Sequence, residues 1–269
     1  MNIVWLSANK LGYEILKEAF DVQDTNQDVH LTSLITLSDA ATTVMYDSVE
    51  KKKWHHLKDK HPIEIYEIER INDNNTKDLL KKLNPDLIIM SGWRQVLDSE
   101  VLAIPKKGVV AFHPTLLPTG RGPAPIINSI LKGFKEGGLT MYYASQGLDD
   151  GDIIGQEKFT IQEDDYAQDV YEKVIKNGRK LIRKYLPLLA AGKAPRIKQD
   201  ETKATVFEKP KLSDNKIDLE QESFDCVYRK IRALSHPYNG AYLVKDGKKL
   251  IIWKAEIDKD YQEKNKIIS

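Results

Sequence analysis

The chain has 269 residues, with 41 lysines and arginines against 40 aspartates and glutamates, and a single cysteine, Cys226. That length buries one substantial core and leaves room for a small second module. The balanced charge gives no global field for a polyanionic partner, one cysteine forms no intramolecular disulfide, and no apolar run approaches the roughly 18 residues of a membrane span.

The opening "MNIVWLSANK" has too short an apolar run for a signal peptide, so a soluble, cytoplasmic protein is expected. In chain order, "NIVWLS", "TSLITL", "IEIY", "DLIIM" and "GVVAFH" are short apolar runs bounded by turn residues, with helix-length segments between the first four. Leu11, Ile15, Leu16 and Ala19 share one helical face after the first run, and "NDNNTKDLLKKL" carries Asn and Asp caps ahead of a second helix. This alternation predicts an α/β fold, a doubly wound and mostly parallel sheet covered on both faces. Ligands of such sheets bind beyond the carboxyl ends of the strands, where the loops after "DLIIM" and "GVVAFH" would meet. The first turn, "LSANKLGYE", lacks G-x-G-x-x-G, which argues against a dinucleotide enzyme.

Further on, "LTMYYA" and "IIGQEKFTI" flank the turn "SQGLDDGD" and predict an antiparallel edge to the sheet. One long helix is expected from Asp165 to Ala191, then an extended connector around residues 193–206. Residues 207–269 are expected to form a small C-terminal α+β module, with "FDCVYRKIRAL" as its helix and "AYLVKDGKKLIIW" as a hairpin. Residues 1–192 form the main domain in this division.

The chemistry concentrates between residues 91 and 156. His113 ends an apolar run and is followed by Pro114, Pro118, Pro123 and Pro125, which exclude a regular helix and stiffen the loop. It is read either as a packed core histidine or as a catalyst. The "LDDGD" stretch, with Asp149, Asp150 and Asp152, is either plain turn chemistry or the source of a carboxylate that orients His113.

"FHPTLLPTGRGPAPIINSILKG", "GLTMYY" and "LDDGDII" together resemble the formyltransferase family that uses N10-formyltetrahydrofolate, whose motifs run His-x-Ser/Thr-Leu-Leu-Pro-x-x-Arg-Gly and Leu-Asp-x-Gly-x-Ile. The interval between His113 and Asp149 agrees with the family's. The resemblance implies a Rossmann-like formyltransferase core, no metal, and catalysis by His113 and Asp149. An unprotonated amine attacks the formyl carbon, His113 donates to the developing oxyanion and shuttles a proton, and Asp149 orients His113. The family carries an asparagine two residues before the histidine, where this chain has Ala111; Gln95 is the candidate replacement donor, with a backbone N–H after Pro114 as the alternative.

The resemblance also implies that the loop "MSGWRQVL" lies against folate, with Trp93, Arg94, Val96 and Leu97 on one side, Leu116 and Leu117 on the other, and Leu148 and Asp150 from the turn. Trp93 is read alternatively as a helix-packing tryptophan. On the amine side stand Lys10, Thr115, Arg121, His236 and Tyr238. Lys10 contacts phosphate or is merely exposed, Arg121 contacts phosphate or holds the loop, and His236 and Tyr238 line a base or pack a turn. Residues 200–269 hold 14 Lys and Arg against 13 Asp and Glu, which does not suggest a tRNA footprint. The sugar N-formyltransferase branch is therefore the expected one. Its substrate is expected to be a UDP-linked 4-amino-4,6-dideoxy sugar for a surface glycan or pseudaminic acid. The alternatives are formylation of methionyl-tRNA and a folate or nucleotide-sugar binder without turnover. The expected partner is a small nucleotide sugar, with no membrane and no nucleic acid, and a homodimer is the candidate assembly.

Overall fold

A computed structural model of the chain describes residues 1–42 and 51–258. Its first strand, β1 (Asn2–Leu6), shows how the sheet is made. Ile3, Val4, Trp5 and Leu6 are all fully buried, and the two-residue period sends Ile3 and Trp5 into one apolar layer and Val4 and Leu6 into the other. Helix α1 (Lys10–Thr25) starts where Asn9 accepts a hydrogen bond from the Gly12 N–H, and it buries Leu11, Ile15, Leu16 and Ala19. The chain continues through β2 (His30–Leu37), α2 (Asp39–Thr42), α3 (Lys51–Lys58), β3 (Glu64–Ile68), α4 (Asn74–Leu83), β4 (Leu87–Met90), α5 (Ser99–Ala103) and β5 (Val109–His113). Asp73 caps α4 and Asn84 ends it in a left-handed conformation.

After β5 come α6 (Pro125–Leu131), β6 (Glu136–Tyr143), β7 (Ile153–Thr160) and the long α7 (Ala167–Ala190). Among the described residues the main sheet has seven strands in the order β3-β2-β1-β4-β5-β6-β7. The first five strands in sequence are parallel, and β6 and β7 form the antiparallel edge that the turn chemistry led one to expect. The sheet is therefore wound outward in both directions from the β1/β4 junction, which opens a crevice at the carboxyl ends of β1, β4 and β5.

The C-terminal residues supply α8 (Phe224–Leu234) and the hairpin β8 (Ala241–Lys245) and β9 (Lys248–Ile252). Asp246 and Gly247 both take positive φ in the two-residue turn, as a primed hairpin turn needs. Helix α8 packs on α6, and Val227, Ile231 and Leu234 join the same apolar cluster as Ile126, Ile127 and Ile130. The connector holds a short 3-10 turn at Glu201–Lys203 and is tied down. It bridges Ile197 to Ile153 and Val206 to Arg121, which lays it along the edge of the loop that follows β5.

Candidate active site

Strand β5 alternates like its neighbours. Val110 and Phe112 face one apolar layer, so Val109, Ala111 and His113 face the other. His113, only 6% exposed, places Nε2 at 2.7 Å from the Gly120 carbonyl oxygen. A carbonyl cannot donate, so Nε2 carries the hydrogen and Nδ1 is the nitrogen that exchanges protons. Nδ1 faces Asp149 Oδ2 at 3.5 Å. Burial lowers the His113 pKa from its ordinary value, opposed by the Asp149 charge and the Gly120 bond. The proton-exchanging side of the ring is thus turned toward Asp149.

Asp149 sits at φ 50, a left-handed conformation that aspartate tolerates better than most residues. Its carboxylate accepts the Gly122 N–H on Oδ2 at 2.8 Å and the Tyr142 hydroxyl on Oδ1 at 2.6 Å. Its turn is closed by Gly151, where a Cβ would lie 1.7 Å from the Tyr143 carbonyl oxygen. Gln199, from the connector, donates to the main-chain oxygens of Asp149 and Gly151, both at 2.8 Å.

The loop after β5 is held from two sides. From the sheet, Thr140 donates to the Thr115 carbonyl at 2.7 Å and accepts the Leu117 N–H at 3.1 Å, while Gln156 donates to the Leu117 carbonyl at 2.8 Å. From the connector, Thr205 Oγ1 accepts the Gly120 N–H at 2.8 Å, and the Arg121 and Thr205 main chains pair at 2.9 Å. The Phe207 ring lies against Gly120, where a Cβ would be 2.7 Å away.

The structure gives several expected site residues partners within the protein. Gln95 is not brought to His113: its amide donates to the Glu69 carbonyl at 2.7 Å and accepts the Ile71 N–H at 2.8 Å, so both ends brace the turn before α4. Arg121 is 7% exposed and spends its guanidinium on Gln199 and on a two-pronged bond to Glu201, at 2.6 and 3.0 Å. That geometry gives it the loop-holding role, because the planar fork is already matched to a carboxylate. Lys10 pairs with Glu172 of α7 at 2.5 Å. Leu97 and Leu117 are core residues, 7% and 3% exposed, and Leu116 packs over Gly138. Thr115 is buried in the loop, and Asp150 accepts a hydrogen bond from Ser145. His236 stacks on Trp253 at 4.1 Å, and Tyr238 packs against the main core.

Other expected residues remain open to a ligand. Val96 is 81% exposed and lines a cleft of about 440 Å³ with Arg70, Ile71, Asn72, Asp73 and Gln95. Leu148 is 51% exposed beside Asp149, Arg94 is exposed, and Trp93 is partly covered by the layer that holds Leu97. Tyr142, Gln199 and Thr205 went unread in the sequence. The alternation of "LTMYYA" places Tyr142 on the His113 face, but nothing in the connector's composition marks Gln199 or Thr205.

With this geometry in hand, similarity to known proteins decides the family. The family described as "Formyl transferase" matches residues 1–186, and "Formyl transferase, C-terminal domain" matches residues 210–268. The chain belongs to the formyl transferase family. It is 36% identical over 198 residues to the methionyl-tRNA formyltransferase of Halalkalibacterium halodurans, a match covering 74% of this chain and 62% of that protein. In fold it is similar to a sugar N-formyltransferase from Shewanella sp FDAARGOS_354, with TM-score 0.74, 22% identity, and 96% and 98% of the two chains covered. It is also similar to the N-formyltransferase from Helicobacter canadensis in complex with folinic acid and dTDP-3-aminofucose, with TM-score 0.66, 16% identity, and 93% and 86% covered.

Proposed function

We propose that this protein transfers a formyl group from N10-formyltetrahydrofolate to the amino group of a nucleotide-linked amino deoxysugar. The observation that carries the reading is the buried His113 and Asp149 pair, 3.5 Å apart at the end of β5, in a chain of the formyl transferase family. Val96 and Leu148 fit the folate because they are large apolar side chains left open, on the loop after β4 and on the turn of Asp149 itself. Bound folate supplies the activated formyl carbon.

The remaining tasks fall to the chain. Nε2 on the Gly120 carbonyl fixes the tautomer and the ring plane, so Nδ1 meets every proton that passes. Burial keeps that nitrogen unprotonated at neutral pH, ready to take the proton the amine releases. Asp149 then faces an imidazolium across 3.5 Å and stabilises it until the proton passes to the folate nitrogen that leaves as its bond to the formyl carbon breaks. Its turn and the β5 loop are tied together by Gln199 and Arg121, so the two groups keep their distance.

The sugar acceptor is supported by the near-neutral C-terminal residues, which offer little to a polyphosphate backbone, and by the match in extent to the Shewanella protein. The finer reading is a UDP-linked 4-amino-4,6-dideoxy sugar used in a surface glycan, made in the cytoplasm. A second reading, formylation of methionyl-tRNA, is favoured by the 36% identity to the Halalkalibacterium protein, although this chain spans only 62% of it. The test is incubation with N10-formyltetrahydrofolate and a panel of UDP- and dTDP-linked amino sugars, followed by mass spectrometry. A gain of one CO unit on at least one sugar, lost in Asp149→Asn, is expected. Binding of the sugars with no transfer would leave a binder and not an enzyme.

A further inference from the structure

Tyr142 lies directly across from Ala111 in the β5/β6 pair, and both belong to one small buried cluster with Leu117 and Ile153. A residue opposite in an antiparallel pair points to the same face, so a methyl at 111 leaves the space that the Tyr142 ring fills. The ring is 4% exposed, yet its hydroxyl emerges at the site and donates to Asp149 Oδ1 at 2.6 Å. Burial and the neighbouring carboxylates push the Tyr142 pKa well above its ordinary value, so the hydroxyl remains a donor throughout the working range.

We infer that Tyr142 is a positioning residue for the transfer reaction, fixing Asp149 as an oriented carboxylate and so setting how strongly its charge acts on His113. Gly122 N–H and Tyr142 O–H occupy one carboxylate oxygen each, which stabilises the charged form from both sides. The groups facing the pair are Tyr142 from β6, Asp150 from the same turn, and Arg121 from the loop, with Arg121 neutralised by Glu201. Of these, Tyr142 is the side chain whose hydrogen bond ends on Asp149. With that donor present the carboxylate is held toward Nδ1 of His113 with part of its charge engaged by the hydroxyl; without it more of that charge acts on the ring, which then takes up its proton more readily.

This rests on the formyl-transfer reading above, so its test has one readout that needs no turnover. Tyr142→Phe keeps the ring and removes only the hydroxyl. Expected are a kcat lowered about 10- to 100-fold with KM changed little, since one hydrogen bond to a charged group is lost where the proton moves. The acidic limb of the pH-rate profile should shift to higher pH, because the pair binds its proton more readily once the carboxylate loses a donor. The same upward shift should appear in the His113 ring titration followed by NMR in the protein alone. Incorporating 3-fluorotyrosine at position 142 strengthens the donor and should move both titrations downward, which keeps the test open if Tyr142→Phe folds poorly. If no amine is formylated but the His113 titration still moves in Tyr142→Phe, the proposed function fails while the coupling of Tyr142 to His113 through Asp149 stands. Unchanged kcat and unmoved titrations in both variants would overturn it.

Discussion

Burial of His113 has a consequence that can be measured without substrate. Its folded pKa lies below the ordinary 6.5, so as pH falls through that value the unfolded chain takes up a proton before the folded one does. Its contribution to stability is therefore intact above pH 6.5 and is lost as the pH falls further. Thermal unfolding measured on either side of pH 6.5 should show a Tm drop on the acid side that is smaller in His113→Asn; an equal drop in both would mean that His113 does not titrate this way. His113 and Asp149 were legible as a pair because two motifs carry them in the right order. Tyr142 was not, because its role depends on cross-strand register with Ala111, which a single sequence does not state.

Among the elements, strands were easiest to foresee where both faces are buried. "NIVWL" and "LIIM" cannot be exposed on either side, and a continuous apolar run of that length leaves few alternatives to a central parallel strand. The connector was read as extended; the structure adds a short 3-10 turn at Glu201–Lys203, and its docking was invisible. Gln199, Glu201 and Thr205 are 78 to 85 residues away in sequence from Arg121 and Gly120, which they hold. Polar residues in a Gly- and Pro-containing stretch look the same whether they bind a loop or water. The physical role follows from burial of Arg121. Replacing it with alanine should lower the unfolding free energy by about 1–3 kcal/mol and speed tryptic cleavage at Lys203. A connector that stays protected in Arg121→Ala would show that the pairing of residues 205–207 with the loop suffices.

Across the whole molecule, one topological feature brings the chemistry together. The sheet winds outward from β1 and β4, and the antiparallel β6 and β7 then return Asp149 to the end of β5. The connector crosses the same edge before the chain reaches α8, so the C-terminal module is anchored to the loop that holds His113. Under the proposed function, the formyl chemistry falls to the His113 and Asp149 pair that this topology brings together. The most direct measurement is a competition in one vessel. Wild-type protein, labelled N10-formyltetrahydrofolate, a UDP-linked 4-amino-4,6-dideoxy sugar and charged initiator tRNA are mixed, and the label is followed into each acceptor. Label entering the sugar, with a kcat/KM well above that for the tRNA, is the predicted result; label entering the tRNA alone would contradict the account.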